Sequence, residues 1–94
     1  MPEGKTRPVL VLTREAVQPH LTALTVAPIT SRIRGLQTEV PVGARNGLDH
    51  ESVVNLDNIT TVPVALLGRR VGYLLEDQEE ALAEALIAAF DLEL

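Results

Sequence analysis

The sequence contains no cysteine and no tryptophan, and its only aromatic residues are Tyr73 and Phe90. Without cysteine there is no disulfide and no thiolate metal site, which suits a reducing cytoplasm. With two aromatic side chains, the core has to be assembled from Val, Leu, Ile and Ala, although the apolar share of the composition, 46%, is ordinary. Aromatic platforms on which bases could stack are nearly missing for the same reason. No apolar run approaches the roughly 20 residues of a membrane span, and Met1 to Lys5 does not resemble a signal peptide. A cytoplasmic protein with no membrane partner is expected. His20 and His50 have no partner at metal-ligand spacing, and the P-loop, G-x-S-x-G and G-x-G-x-x-G patterns do not occur. Neither a metal site nor a cofactor is expected.

A chain of 94 residues is one domain, residues 1–94, close to the lower size at which a single core suffices. A dimer interface would help so thin a core. The net charge of −5 speaks against nucleic acid until its distribution is considered. All eight basic residues precede Gly72, together with six of the thirteen acids, so residues 1–72 carry +2 and the remaining tail −7. The acidity belongs to a helix surface, and the part before it is mildly basic.

Two short β-branched runs dominate that basic part, Pro8 to Leu12 and Leu21 to Ile29, both bounded by turn signals. They read as neighbouring strands. If they pair antiparallel through the Arg14 to His20 connection, the start of the first lies beside the end of the second, and Arg7 meets Thr30. Pro8 stiffens the backbone from which Arg7 leaves. Pro28 cannot donate to a ladder, so a bulge or an edge position is expected there. Ser31-Arg32-Ile33-Arg34-Gly35 is a turn with two positive charges, and Gln37 to Val42 alternates as a third strand. Gly43 to Glu51 is a turn-rich loop containing Asn46-Gly47. Ser52 to Thr61 follows as a strand or a pair of strands, then Pro63 to Leu67 as a helical turn and Arg69 to Leu75 as a last short strand. The final segment is a helix: Asp77 with Glu80 three residues on is a cap-like start, and Leu82, Leu86, Ala89 and Phe90 recur at helical spacing. Residues 1–6 carry no pattern and read as loose. The expected architecture is mainly β with a C-terminal helix (α+β), a twisted sheet or small barrel closed by the helix.

Singly, Arg7 and Thr30 are ordinary residues at strand ends. Together at the junction of paired strands they form an anion site, in which a planar guanidinium holds phosphate oxygens and a hydroxyl adds a hydrogen bond. Asp57 and Asn58 stand in a strand-like stretch where alternation turns only one of them comfortably to solvent. His20 and His50 read as surface histidines, and Arg69-Arg70 as a solvated pair or a partner contact.

These segments, taken in order, resemble the MazF/PemK family of bacterial toxin endoribonucleases, the mRNA interferases. The resemblance runs through Arg7-Pro8-Val9-Leu10-Val11-Leu12-Thr13, Val26-Ala27-Pro28-Ile29-Thr30-Ser31, Gly35-Leu36-Gln37-Thr38-Glu39-Val40, Gly47-Leu48 and Ser52 to Ile59, and ends with the Leu82 to Leu92 helix. It implies a small SH3-like β-barrel of the CcdB/PemK type, a homodimer, and metal-independent cleavage of single-stranded mRNA at short sequences. It also implies inhibition by a cognate antitoxin. By position, Arg7 and Thr30 match the family's catalytic Arg and its catalytic Thr or Ser. Asp57 and Asn58 match an acidic-amide pair used near the RNA. Ser31, Arg32 and Arg34 are expected to bind or support RNA beside them, with Arg45 a further charge for a basic groove. The implied reaction uses the RNA's own 2′-hydroxyl and leaves a 2′,3′-cyclic phosphate, with Asp57 a candidate base. Two departures stand out. Asn55 occupies a position where some relatives carry Arg, and only six residues precede Arg7, so the family's usual opening strand and loop are short or missing. Two rival readings remain open: a CcdB-like toxin that binds DNA gyrase, although the C-terminal Trp those proteins rely on is missing here, and a non-catalytic β-barrel interaction module.

Overall fold

A computed structural model describes residues 7–91. The expectation for residues 1–6 and the family-like Leu92 lie outside them. The order of elements is β1 (Val9–Val11), β2 (Ala23–Thr30), β3 (Glu39–Val42), β4 (Ser52–Asn55), β5 (Thr60–Pro63) and helix α1 (Glu76–Phe90). Short 3-10 turns occupy Glu15–His20, Ala44–Asn46, Leu56–Asn58 and Val64–Leu66. All strand pairings are antiparallel.

The eight-residue β2 is the strand on which the sheet is built. One edge carries β1, while the other carries β5 along Ala23–Val26 and β4 at Ile29–Thr30, with β3 beyond β4. The exchange of partners explains Pro28. Leu12 N–H donates to Thr25 O and Ile29 N–H to Pro8 O, so the odd-numbered residues of β2 turn their main-chain groups toward β1. Pro28 therefore faces the opposite edge, between the end of the β5 ladder and the start of the β4 ladder, where a missing N–H breaks no rung.

The core follows the composition. Ala27, Val40, Val42, Val54 and Leu56 from the sheet side meet Ala85 of α1, with Leu82, Leu86 and Ala89 partly buried against them. No aromatic side chain takes part: Tyr73 is 65% exposed and Phe90 56%. Phe90 was expected in the packed stripe with Leu82, Leu86 and Ala89. It falls in the last turn, just before Asp91 leaves the helix with φ +52°, and points out of the core face.

Of the two readings of Ser52 to Thr61, the pair of strands is the one found, β4 and β5, while Asp57 and Asn58, read as part of a strand, lie in the 3-10 turn between them. Their polarity is that of a turn, not of a strand face. The helix is capped two residues earlier than Asp77: Leu75 is the N-cap, and Gln78 at N3 accepts the Leu75 N–H at 2.9 Å through Oε1, the reach-back half of a capping box. Arg69 to Leu75 forms no strand. This strap borders a cleft of about 1550 Å³, and among the described residues no strand pairs with it. The strap is held by side chains and glycines instead. A Cβ on Gly72 would collide with the carbonyl of Asn46, and one on Gly47, at φ +88°, with the carbonyl of Val71.

That contact borders a buried polar node. Asn46 Nδ2 donates to Tyr73 O (2.7 Å) and Gln78 Oε1 (2.6 Å), and Gln78 Nε2 donates to Asn46 Oδ1 (2.9 Å) and Pro41 O (3.2 Å). Gly43 N–H completes the set by donating to Asn46 Oδ1 at 3.0 Å. Among the described residues no buried side-chain polar atom lacks a partner, so the node ties β3, its following turn, the strap and α1 together without leaving a desolvated group unpaired.

Candidate active site

The β1–β2 register, Val9 opposite Pro28 and Val11 opposite Val26, continues at least to the bond between Ile29 N–H and Pro8 O. Arg7 is the next residue out from Pro8, as Thr30 is from Ile29. Both line the large cleft with Ser31, and Arg7 is exposed, so an incoming anion can reach the guanidinium.

Thr30 ends β2, and its Oγ1 accepts the Arg32 N–H at 3.1 Å. This local turn fixes the hydroxyl oxygen while leaving its proton to donate to a phosphate oxygen. The loop that follows displays Arg32, Ile33, Arg34 and Leu36 to solvent. Its curl is closed from the far side by Glu39, the first residue of β3. Glu39 Oε1 accepts the N–H groups of Arg34 (3.1 Å), Gly35 (2.9 Å) and Leu36 (3.2 Å). Three successive amides converge this way because Gly35 sits at φ +73°.

Asp57 and Asn58 occupy a neighbouring station. Asp57 Oδ2 accepts the Thr38 hydroxyl at 2.7 Å, and Asn55 Oδ1 caps the turn by accepting the Asp57 N–H at 2.8 Å. The local role of Asn55 is therefore to shape the turn. Thr30 pairs with Val53, and Asp57 lies four residues further along the chain, outside the residues that line the cleft with Arg7. Arg7, Thr30 and Ser31 share one lining, Arg32 and Arg34 stand on the loop beside it, and Asp57 with Asn58 flanks that loop's foot.

Arg45 does not join them. It makes a two-pronged ion pair with Asp77 at the start of α1, 2.8 and 3.1 Å, and lies outside the residues that line the cleft. Of the Arg69-Arg70 pair, Arg70 lies 4.7 Å from the centre of the Tyr73 ring and 3.6 Å from Glu15. Hydrogen bonding and charge from Tyr73 raise its pKa, desolvation opposes them, and Glu15 adds smaller upward contributions. No group of three or more His, Asp or Glu side chains among the described residues is arranged to hold a metal ion. No helix among them is long and apolar enough to cross a membrane.

Sequence reasoning missed Glu39 and Thr38. Alternation makes Glu39 an outward residue of the third strand, and its bonds depend on a loop that returns to it in space. Asn46 and Gln78 were missed for the same reason, being 32 residues apart.

The chain is 65% identical over 89 residues to the endoribonuclease MazF3 of Mycobacterium tuberculosis strain ATCC 25618 / H37Rv, covering 95% of this chain and 86% of the relative. The solved structure of the Mycobacterium tuberculosis toxin MazF-mt6 superposes with a TM-score of 0.91 at 65% identity, covering 94% of this chain and 89% of that one. An endoribonuclease from a mycobacterial species, solved in complex with its cognate antitoxin, matches with a TM-score of 0.82 at 26% identity, covering 94% and 84%. Residues 2–90 match the family of PemK-like, MazF-like toxins of type II toxin-antitoxin systems, and with that span the chain belongs to it.

Proposed function

We propose that this protein is the toxin of a type II toxin-antitoxin pair and acts as an endoribonuclease on single-stranded mRNA, opening the chain by attack of the 2′-hydroxyl on the adjacent phosphate. The bond from phosphorus to the 5′ oxygen breaks, the 2′ oxygen gives up its proton, and the products are a 2′,3′-cyclic phosphate and a 5′-hydroxyl. The observation that supports this reading is that Arg7 and Thr30, each one residue beyond the last β1–β2 bond, line the same open cleft. The guanidinium stabilises the extra charge of the pentavalent phosphate, and the Thr30 hydroxyl, its oxygen held by Arg32 N–H, donates to a phosphate oxygen. Preorganised donors of this kind are commonly the largest single contribution to catalysis. Ser31, Arg32 and Arg34 hold the strand beside the scissile phosphate. Asp57 and Asn58 lie outside the cleft lining, which favours a supporting contact with flanking RNA over removal of the 2′ proton by Asp57.

The working form is a homodimer in this reading. The apolar side chains of Ile33, Leu36, Val71 and Ile87 are 53, 44, 44 and 45% exposed, more than a small aromatic-poor domain gains from leaving in water. A cognate antitoxin is the second protein partner, and an acidic segment of it would compete with RNA for Arg32 and Arg34. Gyrase binding and a non-catalytic module are less favoured, because neither accounts for the Arg7–Thr30 juxtaposition.

Incubation with a mixed RNA pool, followed by mapping of both new ends, tests the reading. Cleavage at a fixed short sequence with cyclic phosphate and 5′-hydroxyl ends is expected, unchanged by EDTA. Intact RNA with blocked gyrase, or activity lost to EDTA and restored by a divalent ion, would overturn it.

A further inference from the structure

We propose that Glu39 is a positioning residue that sets the shape of the Arg32–Leu36 loop and thereby which RNA sequence the site accepts, an inference that rests on the RNA reading above. The loop is tied at both ends by side-chain acceptors. Thr30 Oγ1 holds Arg32 N–H at its start, and Glu39 Oε1 gathers three amides at its end, with Oε2 also 3.4 Å from Arg34 N. Glu39 is itself anchored, because it belongs to β3 and is paired in register with Asn55 of β4. The next residue back, Thr38, binds Asp57, so two adjacent residues at the foot of β3 fix both polar stations that flank the cleft.

Glu39 is the only acid in residues 31–39, and its carboxylate is spent on the main chain. Neither Arg32 nor Arg34 makes an ion pair among the described residues, so both guanidiniums remain available to phosphates while the concave amide nest, itself an anion site by geometry, is filled from within. RNA contact by this loop then falls on side chains whose spacing the nest dictates. The amides are exposed and pass to water if the carboxylate is removed, so the loop can lose its shape without the fold losing much stability. At Gly35 nothing stands within 4 Å of an added Cβ, so the constraint there is the positive φ and not space.

The test compares the parent, Glu39→Ala, Glu39→Gln and Arg7→Ala on a randomised RNA pool, with KM and kcat on the best site and amide exchange at Arg34, Gly35 and Leu36. Oε1 is the shared acceptor, so a glutamine can keep the nest while an alanine cannot. Expected for Glu39→Ala are faster exchange at the three amides, KM raised about tenfold, a flattened sequence preference, and kcat within about threefold of the parent. Glu39→Gln should restore most of the preference, and Arg7→Ala should be inactive whatever the loop does. Unchanged preference in Glu39→Ala, or equal loss in Glu39→Ala and Glu39→Gln, overturns the proposal while leaving the Arg7 mechanism standing. A parent chain that leaves RNA intact overturns both.

Discussion

Two polar constellations in this molecule are built from similar side chains and put to opposite uses. Around Asn46 and Gln78, both under 9% exposed, every amide donor and acceptor is engaged, and the partners come from four separate segments. Around Thr30, Arg32, Arg34 and Asp57 the side chains are exposed or half-buried, and each bond made inside the protein leaves capacity over. The Thr30 oxygen accepts but its proton is still to give, and Asp57 uses one oxygen of two. Where desolvation is complete an unpaired group costs about 1–3 kcal/mol, so a buried node has to close on itself. Where water reaches, incomplete pairing costs little and can be kept for a ligand. Closure marks structure here, and spare capacity marks the site.

The sharpest way to break that contrast is Arg7→Ala. Loss of one transition-state donor typically lowers the rate about 100- to 1,000-fold, and because Arg7 is exposed the melting temperature should hardly move. Activity within threefold of the parent would remove Arg7 from the mechanism. The matching change in the closed node is Asn46→Ala, which strands the Gln78 amide, the Gly43 N–H and the Tyr73 carbonyl. A destabilisation of about 3 kcal/mol is expected, more than roughly 10 °C in melting temperature, with undiminished cleavage per folded molecule at low temperature. A neutral effect in thermal denaturation would mean that the node is not needed to hold the strap.

Reversing Arg32 and Arg34 to Glu together probes spare charge rather than closure. RNA affinity should fall and its salt dependence flatten, by about 1.4 in the log–log slope if both contact phosphates on single-stranded RNA, and antitoxin binding should weaken in parallel. A double reversal that spares both partners would count against a shared surface. The smallest effect is expected from Arg45→Ala, since its ion pair with Asp77 joins side chains 54 and 64% exposed. Less than about 1 kcal/mol of stability and no change in RNA affinity are expected, and a measurable RNA defect would return Arg45 to the groove.

Much of this was legible in the residues because it follows from local rules. Two β-branched runs with a short polar connection pair antiparallel, which carries Arg7 and Thr30 to the same end of the pair without knowledge of the rest. The Asn46-Gly47 turn, the acidic helix and the aromatic-free core were legible for the same reason. The failures share a cause as well. Arg69 to Leu75 has the composition of a strand, but a strand exists only if a neighbour supplies its ladder, and among the described residues none pairs with it. Phe90 has the right spacing for the core stripe, but the helix ends before its position is covered.

Composition, hydrophobic alternation and turn residues by themselves determined a β-rich chain with a C-terminal helix, the placement of Arg7 and Thr30 at the same end of a strand pair, and the separation of basic sheet from acidic helix, since each depends on residues close in sequence or on a simple antiparallel register. Only the tertiary structure decided that Arg45 is consumed by Asp77, that Asn46 and Gln78 lock the strap, and that Glu39 folds back to shape the basic loop. Those contacts join side chains whose partners are chosen by the path of the chain through space, and no periodicity in the sequence encodes which donor will arrive beside which acceptor.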